Sequence, residues 1–354
     1  MKKILALMLA LVMLLSLAAC AGKTETDQAQ SKALAAEETK TETAPAAEET
    51  AEESPAEASD ESFDYSDVTI GIVVFSSTAQ SSQKQVAAAK QACEEYGASC
   101  IDLYAEGDKE EMLNCISQLI EADVDAIIMQ PVSLPGQGIL EEIKAAGILC
   151  CIFDQPLEGA GFEDTGLVIS NWTSNNRMAG ELAAADMLKR ANGKTVNCLV
   201  MNDPTGSSAG VSRCEGFIDA INANDSLVLL EENATLKDDI AQELALAESW
   251  VEKYDDIGGF FCFHDNGAIA MVQALKAAGR LGETYVYGVD GNAEALESIK
   301  IGELTGTVVQ QSGLMAYNSC IDVFNTLAGK ELGHDFISYI DVILVTAENV
   351  DDYL

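Results

Sequence analysis

Beyond Phe63 the chain alternates between short apolar runs and longer amphipathic segments. The runs are Val68–Phe75, Ser99–Leu103, Ala126–Met129, Leu149–Phe153, Leu167–Ser170, Thr195–Met201, Leu227–Leu230, Gly258–Phe263, Thr284–Tyr287 and Leu304–Val309, with Phe336–Leu344 closing. Nearly continuous Val, Ile and Leu content predicts strands covered on both faces, as in parallel sheets. Between them Ser82–Tyr96, Lys109–Ala122, Pro135–Ala146, Asn175–Ala191, Ser208–Ala223, Asp238–Tyr254, Asn266–Ala278 and Ala293–Ile301 carry helical periodicity. Several end in glycine (Gly97, Gly147, Gly279, Gly302), the residue suited to the left-handed position that terminates a helix. A βα repeat of this length fits one closed barrel or two doubly wound lobes. The rhythm breaks between Phe153 and Leu167, where Asp154–Gly161 reads as loop. Two parallel-sheet α/β lobes are therefore expected.

The first residues follow another pattern. Lys2 and Lys3 precede an apolar run, Ile4–Leu15, and then small residues, the layout of a secretory signal. As a helix Ile4–Ala19 would span only about 24 Å, short of the ~30 Å of a bilayer interior, so residues 1–19 are expected to be removed rather than to span. Leu17-Ala18-Ala19-Cys20 resembles the bacterial lipoprotein box, which implies lipidation at Cys20 and a tether to the cell membrane. From Lys23 to Ser62 the chain holds twelve acids, three bases and almost no large apolar residue, so residues 20–65 are read as a disordered acidic linker.

The whole chain has 58 acidic and 20 basic residues and a net charge of -38, which argues against a nucleic-acid partner or attraction to an anionic membrane. Only His264 and His334 could supply imidazole, and neither a zinc spacing nor a complete calcium loop is present, so no metal and no cofactor are expected. Gly206-Ser207-Ser208-Ala209-Gly210 fits G-x-S-x-G, and Asp290 and His334 follow in hydrolase order. Five residues separate the preceding strand from Ser207, whereas a nucleophile elbow sits directly on the turn, so a hydrolase is a distant third reading and a non-enzyme is expected. Ten cysteines are too few for a disulfide scaffold; Cys93 and Cys100, flanking Gly97, are the pair placed to bridge, and otherwise the thiols stay free.

The order of motifs from Asp67 onward resembles the type I periplasmic binding proteins, the ribose and galactose binders of sugar ABC transporters. The resemblance rests on Val124–Val132, Ile143–Ile148 followed by Phe153-Asp154, Gly206–Ala209 with Arg213–Phe217, Phe263-His264-Asp265 with Ala268, and Gly288–Gly291 with Gly302–Thr305. It implies two lobes joined by a hinge of three chain crossings, with ligand enclosed between them. The crossings are expected near Ser170-Asn171, Gln310-Gln311 and Ile340-Asp341, giving an N-terminal lobe of 66–170 plus 311–340 and a C-terminal lobe of 171–310 plus 341–354.

Open parallel sheets bind ligands beyond the C-terminal strand ends. The candidates there are Phe75 to Gln83, with Phe75 and Gln80 foremost; Gln130; Asp154 and Gln155; Asn202 to Ser208; Leu236; His264; Asp290; and Gln310. The resemblance places Asp154, His264, Asp290 and Gln310 at ligand-contacting positions, with Asp265 expected to cap the following helix. The ribose pattern is incomplete. Ala79, Ser81 and Ser82 stand where an Asn and two stacking Phe are expected, Gln155 replaces an arginine, and a second arginine position and an aromatic one fall on Val211 and Leu236. Phe75, Trp172 and Phe263 remain to form apolar walls.

These features imply an extracytoplasmic, lipid-anchored, monomeric solute-binding protein. It would take a small polar solute, a monosaccharide or polyol, for delivery to an ABC permease. The alternative is a binding protein serving a chemoreceptor or sensor kinase.

Overall fold

The computed structural model describes residues 63–157, 159–236 and 239–354. The signal, Cys20 and the linker through Ser62 lie outside them. Phe63 and Tyr65, counted above with the linker, belong to the folded body: the Tyr65 ring packs edge-on against Tyr96 and Phe324, and its hydroxyl donates to the Phe324 carbonyl at 3.1 Å.

Among the described residues two six-stranded sheets form. The first is built from β1 (Thr69–Val74), α1 (Gln80–Tyr96), β2 (Ser99–Tyr104), α2 (Lys109–Glu121), β3 (Ala126–Met129), α3 (Gln137–Ala145), β4 (Leu149–Phe153) and β5 (Ser170–Ser174). The second comprises α4 (Asn176–Ala191), β6 (Val196–Asn202), α5 (Ser208–Asn222), β7 (Leu227–Ala234), α6 (Ile240–Lys253), β8 (Gly259–Cys262), α7 (Asp265–Ala277), β9 (Tyr285–Asp290), α8 (Ala293–Lys300) and β10 (Gly306–Val309). The chain then returns for α9 (Ser312–Leu327) and β11 (Ile337–Ile340) and finishes with β12 (Ile343–Thr346). Strand orders are β11-β5-β4-β3-β1-β2 and β12-β10-β9-β8-β6-β7. Among the described strands only β12 runs antiparallel to its neighbour.

Strand alternation explains why each sheet is covered twice. In β1, Ile70, Ile72 and Val74 enter one core with α1 and α9, while Val73 enters the core on the opposite face with α2 and α3. In the second sheet Trp250, Tyr287 and the stacked pair Phe217–Phe261 fill the core. Each such side chain contributes roughly 1.5–3 kcal/mol on burial. All nine cysteines of the described residues are free thiols, Cys93 and Cys100 included. No described helix is long and apolar enough to cross a membrane.

Three elements differ from the expected ones. The fifth strand begins where the run Leu167–Ser170 ends, because Ser170–Ser174 is polar yet buried: Asn171 accepts from the Leu157 amide and donates to the carbonyls of Ile152 and Gln155, and Thr173 donates to the Asp154 carbonyl. The first passage between sheets therefore follows Ser174. The run Phe336–Leu344 is two strands of two different sheets, broken at Asp341-Val342. Helix α9 is absent from the expected elements, since buried Ser312, Ser319 and Asp322 interrupt its apolar face.

Asp322 ties the hinge-side elements together. Its carboxylate accepts from Trp172 Nε1 of β5 at 2.7 Å and faces His334 Nε2 at 2.9 Å, while His334 Nδ1 lies 2.9 Å from the Asp335 carbonyl and 3.0 Å from Ser338 Oγ of β11. Both nitrogens thus face acceptors, which suits the imidazolium. Burial pushes the His334 pKa down, but the bonds to Asp322 and Asp335 prevail and raise it. A raised folded pKa stabilises below the unfolded value of about 6.5 and is lost as pH rises through the folded value. Thermal denaturation should show Tm falling across that interval, and His334→Gln should flatten this part of the profile.

Candidate functional site

The C-terminal strand ends of both sheets face a common cleft containing two cavities of about 500 and 270 Å³. Asp154, His264, Asp290 and Gln310 line both; Phe75 and Gln80 line the larger, Gln155 the smaller. These seven candidates are therefore brought together, whereas Gln130 and Asn202 line neither cavity and Leu236, which also lines neither, is 93% exposed. A larger hollow of about 660 Å³ lies elsewhere, in an apolar groove between α7 and α8. The strand-end cleft is the better candidate because buried, charged and conformationally strained groups converge there.

Asp154 after β4 and Asp290 at the end of β9 occupy equivalent places in the two sheets, and both have positive φ, 70° and 118°. Such conformations are rare for non-glycine residues and mark places where the surroundings hold a side chain in a fixed direction. The Asp154 amide bonds the Trp172 carbonyl at 2.8 Å, and its carboxylate accepts from Gln130 Nε2 at 2.5 Å. Gln130 is itself fixed, its Oε1 accepting from the Phe75 amide and from Ser82 Oγ. Ser82 is thus a buried strut and does not stand in for a stacking aromatic. Burial raises the Asp154 pKa; attraction from Arg213 opposes this, and repulsion from Asp290 adds to it.

Asp290 Oδ1 accepts from Gln310 Nε2 at 2.7 Å and from Arg213 Nη1 at 3.2 Å. Gln310 Oε1 accepts in turn from Ser174 Oγ, linking the site to the end of β5. Arg213 is the site residue that the sequence reading lacks. It is 8% exposed, and it donates to the Phe263 carbonyl through Nη1 and to Asn176 Oδ1 through Nε, both at 2.9 Å. It stands two residues along α5 from Val211, where the resemblance expects an arginine, and so about 200° further around the helix. The motif Arg213-Cys-Glu-Gly216 holds the signal: Gly216 packs against the Arg177 carbonyl, and this close helix approach aims Arg213 at the cleft.

His264 is the N-cap of α7, with Nδ1 accepting from the Gly267 amide at 3.1 Å and Nε2 lying 3.0 Å from buried Glu243. Asp265 does not cap that helix as expected. Its carboxylate accepts from Thr307 Oγ1 and the Asn292 amide, securing the loop after Asp290. Burial first and Asp290 second push its pKa up to about 8.

The G-x-S-x-G segment closes a helix end. Ser207 caps α5 by accepting from the Gly210 amide and donates to Asp203. His334 is engaged with Asp322, so Ser207, Asp290 and His334 do not form a triad. Among the described residues no three His, Cys, Asp or Glu side chains are grouped to hold a metal.

Comparisons agree with this architecture. Residues 70–331 match the family model described as periplasmic binding protein domain. A ribose import binding protein of Bacillus subtilis is 27% identical over 237 residues, 67% of this chain and 74% of that protein. A xylitol-binding protein of Mycolicibacterium smegmatis is 29% identical over 252 residues, 70% of this chain and 68% of its own length. An ABC transporter solute binding protein from Bacillus halodurans, solved with myo-inositol, superposes with a TM-score of 0.67 at 25% identity, covering 82% of this chain and 99% of that one. The chain belongs to the periplasmic binding protein family.

Proposed function

We propose that this protein captures a small neutral polyhydroxylated solute, a monosaccharide or related polyol, between its two lobes and delivers it to an ABC permease. The observation that carries the reading is the meeting of Asp154 and Asp290, one from each sheet, with Gln310 and Arg213 beside them. Carboxylates and a guanidinium together accept from and donate to hydroxyls through charge-assisted bonds. Arg213 lies 3.2 Å from Asp290, and Asp154 and Asp203 keep the cleft acidic, which disfavours carboxylates and phosphates. Relatives named for ribose and xylitol support this class. Lipidation at Cys20 would hold the domain beside its permease, and no catalytic role is assigned to the site.

A thermal-shift screen tests the reading. D-ribose, D-allose, xylitol and myo-inositol form the neutral set, and ribose 5-phosphate and galacturonate the anionic one. At least one neutral compound should raise Tm, by about 2.7 kcal/mol of stabilisation at a hundredfold excess over Kd. Stabilisation by the anions alone would overturn the assignment.

A further inference from the structure

Helix α8 begins without a bond from its own capping side chain: Asn292 occupies the capping position and makes none, its amide being held by Asp265. The first helical amide, Ala293, is satisfied from the other lobe. Gln80, at the start of α1, accepts from the Ala293 amide through Oε1 at 3.2 Å and donates to Glu294 through Nε2 at 3.4 Å. Both bonds join the elements of the first sheet to those of the second, at the rim of the larger cavity. Their position differs from that of Ser174–Gln310, which lies where the chain itself crosses.

We infer that Gln80 is an interlobe latch, a positioning residue that caps α8 across the cleft and thereby favours the closed arrangement. This role is separate from the ligand contact expected of Gln80, which also lines the larger cavity. Unsatisfied amides at a helix start are otherwise met by water or by a local side chain. Here one of them finds its protein acceptor only when the lobes approach. A solute that binds the closed form gains apparent affinity in proportion to the closed fraction, so the carboxamide would act on affinity without touching solute. The inference rests on the lobe closure of the proposed function, but its test needs no solute.

Amide exchange measured residue by residue on the solute-free full chain tests it, comparing wild type with Gln80→Ala and Glu294→Ala. In Gln80→Ala the Ala293 amide should exchange roughly two- to tenfold faster, the loss of one neutral hydrogen bond, while Val86 and Ala89 within α1 keep their rates. Glu294→Ala, which removes the other half of the latch, should accelerate Ala293 by a smaller factor. Unchanged exchange at Ala293 in Gln80→Ala, or acceleration of Val86 and Ala89 to the same degree, would overturn the latch. The first outcome would mean no interlobe bond persists in solution, and the second would mean that α1 frays. Failure of every sugar to bind would leave this result standing, so the two proposals fail separately.

Discussion

Asp290→Asn should weaken solute binding by about 10- to 150-fold, or ~1.5–3 kcal/mol, the scale of a hydrogen bond to a charged group. The change keeps the size of the side chain and removes only its charge. Three consequences follow from the contacts around it. A solute hydroxyl loses a charge-assisted acceptor. Arg213, nearly buried, loses the carboxylate 3.2 Å away and keeps the Phe263 carbonyl, Asn176 and the more general attraction of Asp154, an arrangement that destabilises because a desolvated cation loses its hydrogen-bonded counter-charge. Asp265 is relieved of repulsion from its neighbour, so its raised pKa should fall toward the ordinary range. Titration calorimetry on both proteins, with the compound giving the largest thermal shift, measures the first effect. Equal affinities would remove Asp290 from the site.

The second large effect is on stability. Helices α4 and α5 touch backbone to backbone: a Cβ on Gly180 would lie 2.1 Å from the Arg213 carbonyl oxygen, and one on Gly216 would lie 2.1 Å from that of Arg177. Neither neighbour is a flexible side chain that could turn aside. Gly216→Ala should therefore force the helices apart, destabilising by about 2–3 kcal/mol and lowering Tm by roughly 4–10 °C. Because Arg213 lies on the displaced segment, solute affinity should fall with stability. A Gly216→Ala variant melting within a degree or two of wild type would show that the crossing is looser than described.

These residues also show what the sequence made legible. Strands β1, β3, β4 and β8 were readable because both faces are buried and the apolar run is unbroken, and Asp154 and Asp290 followed from their places at strand ends. Strand β5 was displaced because its buried residues are Asn and Thr, whose hydrogen bonds rather than apolarity justify burial. Arg213 escaped for a related reason. Its place depends on the close crossing of two helices at Gly180 and Gly216, a tertiary relation without a local periodicity. Gln80 was expected in the cleft and lines it, but its partners are more than two hundred residues away along the chain, so no spacing could have indicated a bond to α8.

A solute held by both lobes at once must slow amide exchange in both. Hydrogen exchange with and without a saturating neutral solute, taken from the same screen, tests it most directly. Three segments should be protected together: Phe75 to Gln83, the loop beginning at Asp154, and Asp290 to Ala293. The α7–α8 groove around Ile269 and Ile301 should be unaffected. Protection confined to one lobe, or centred on that groove, would contradict it.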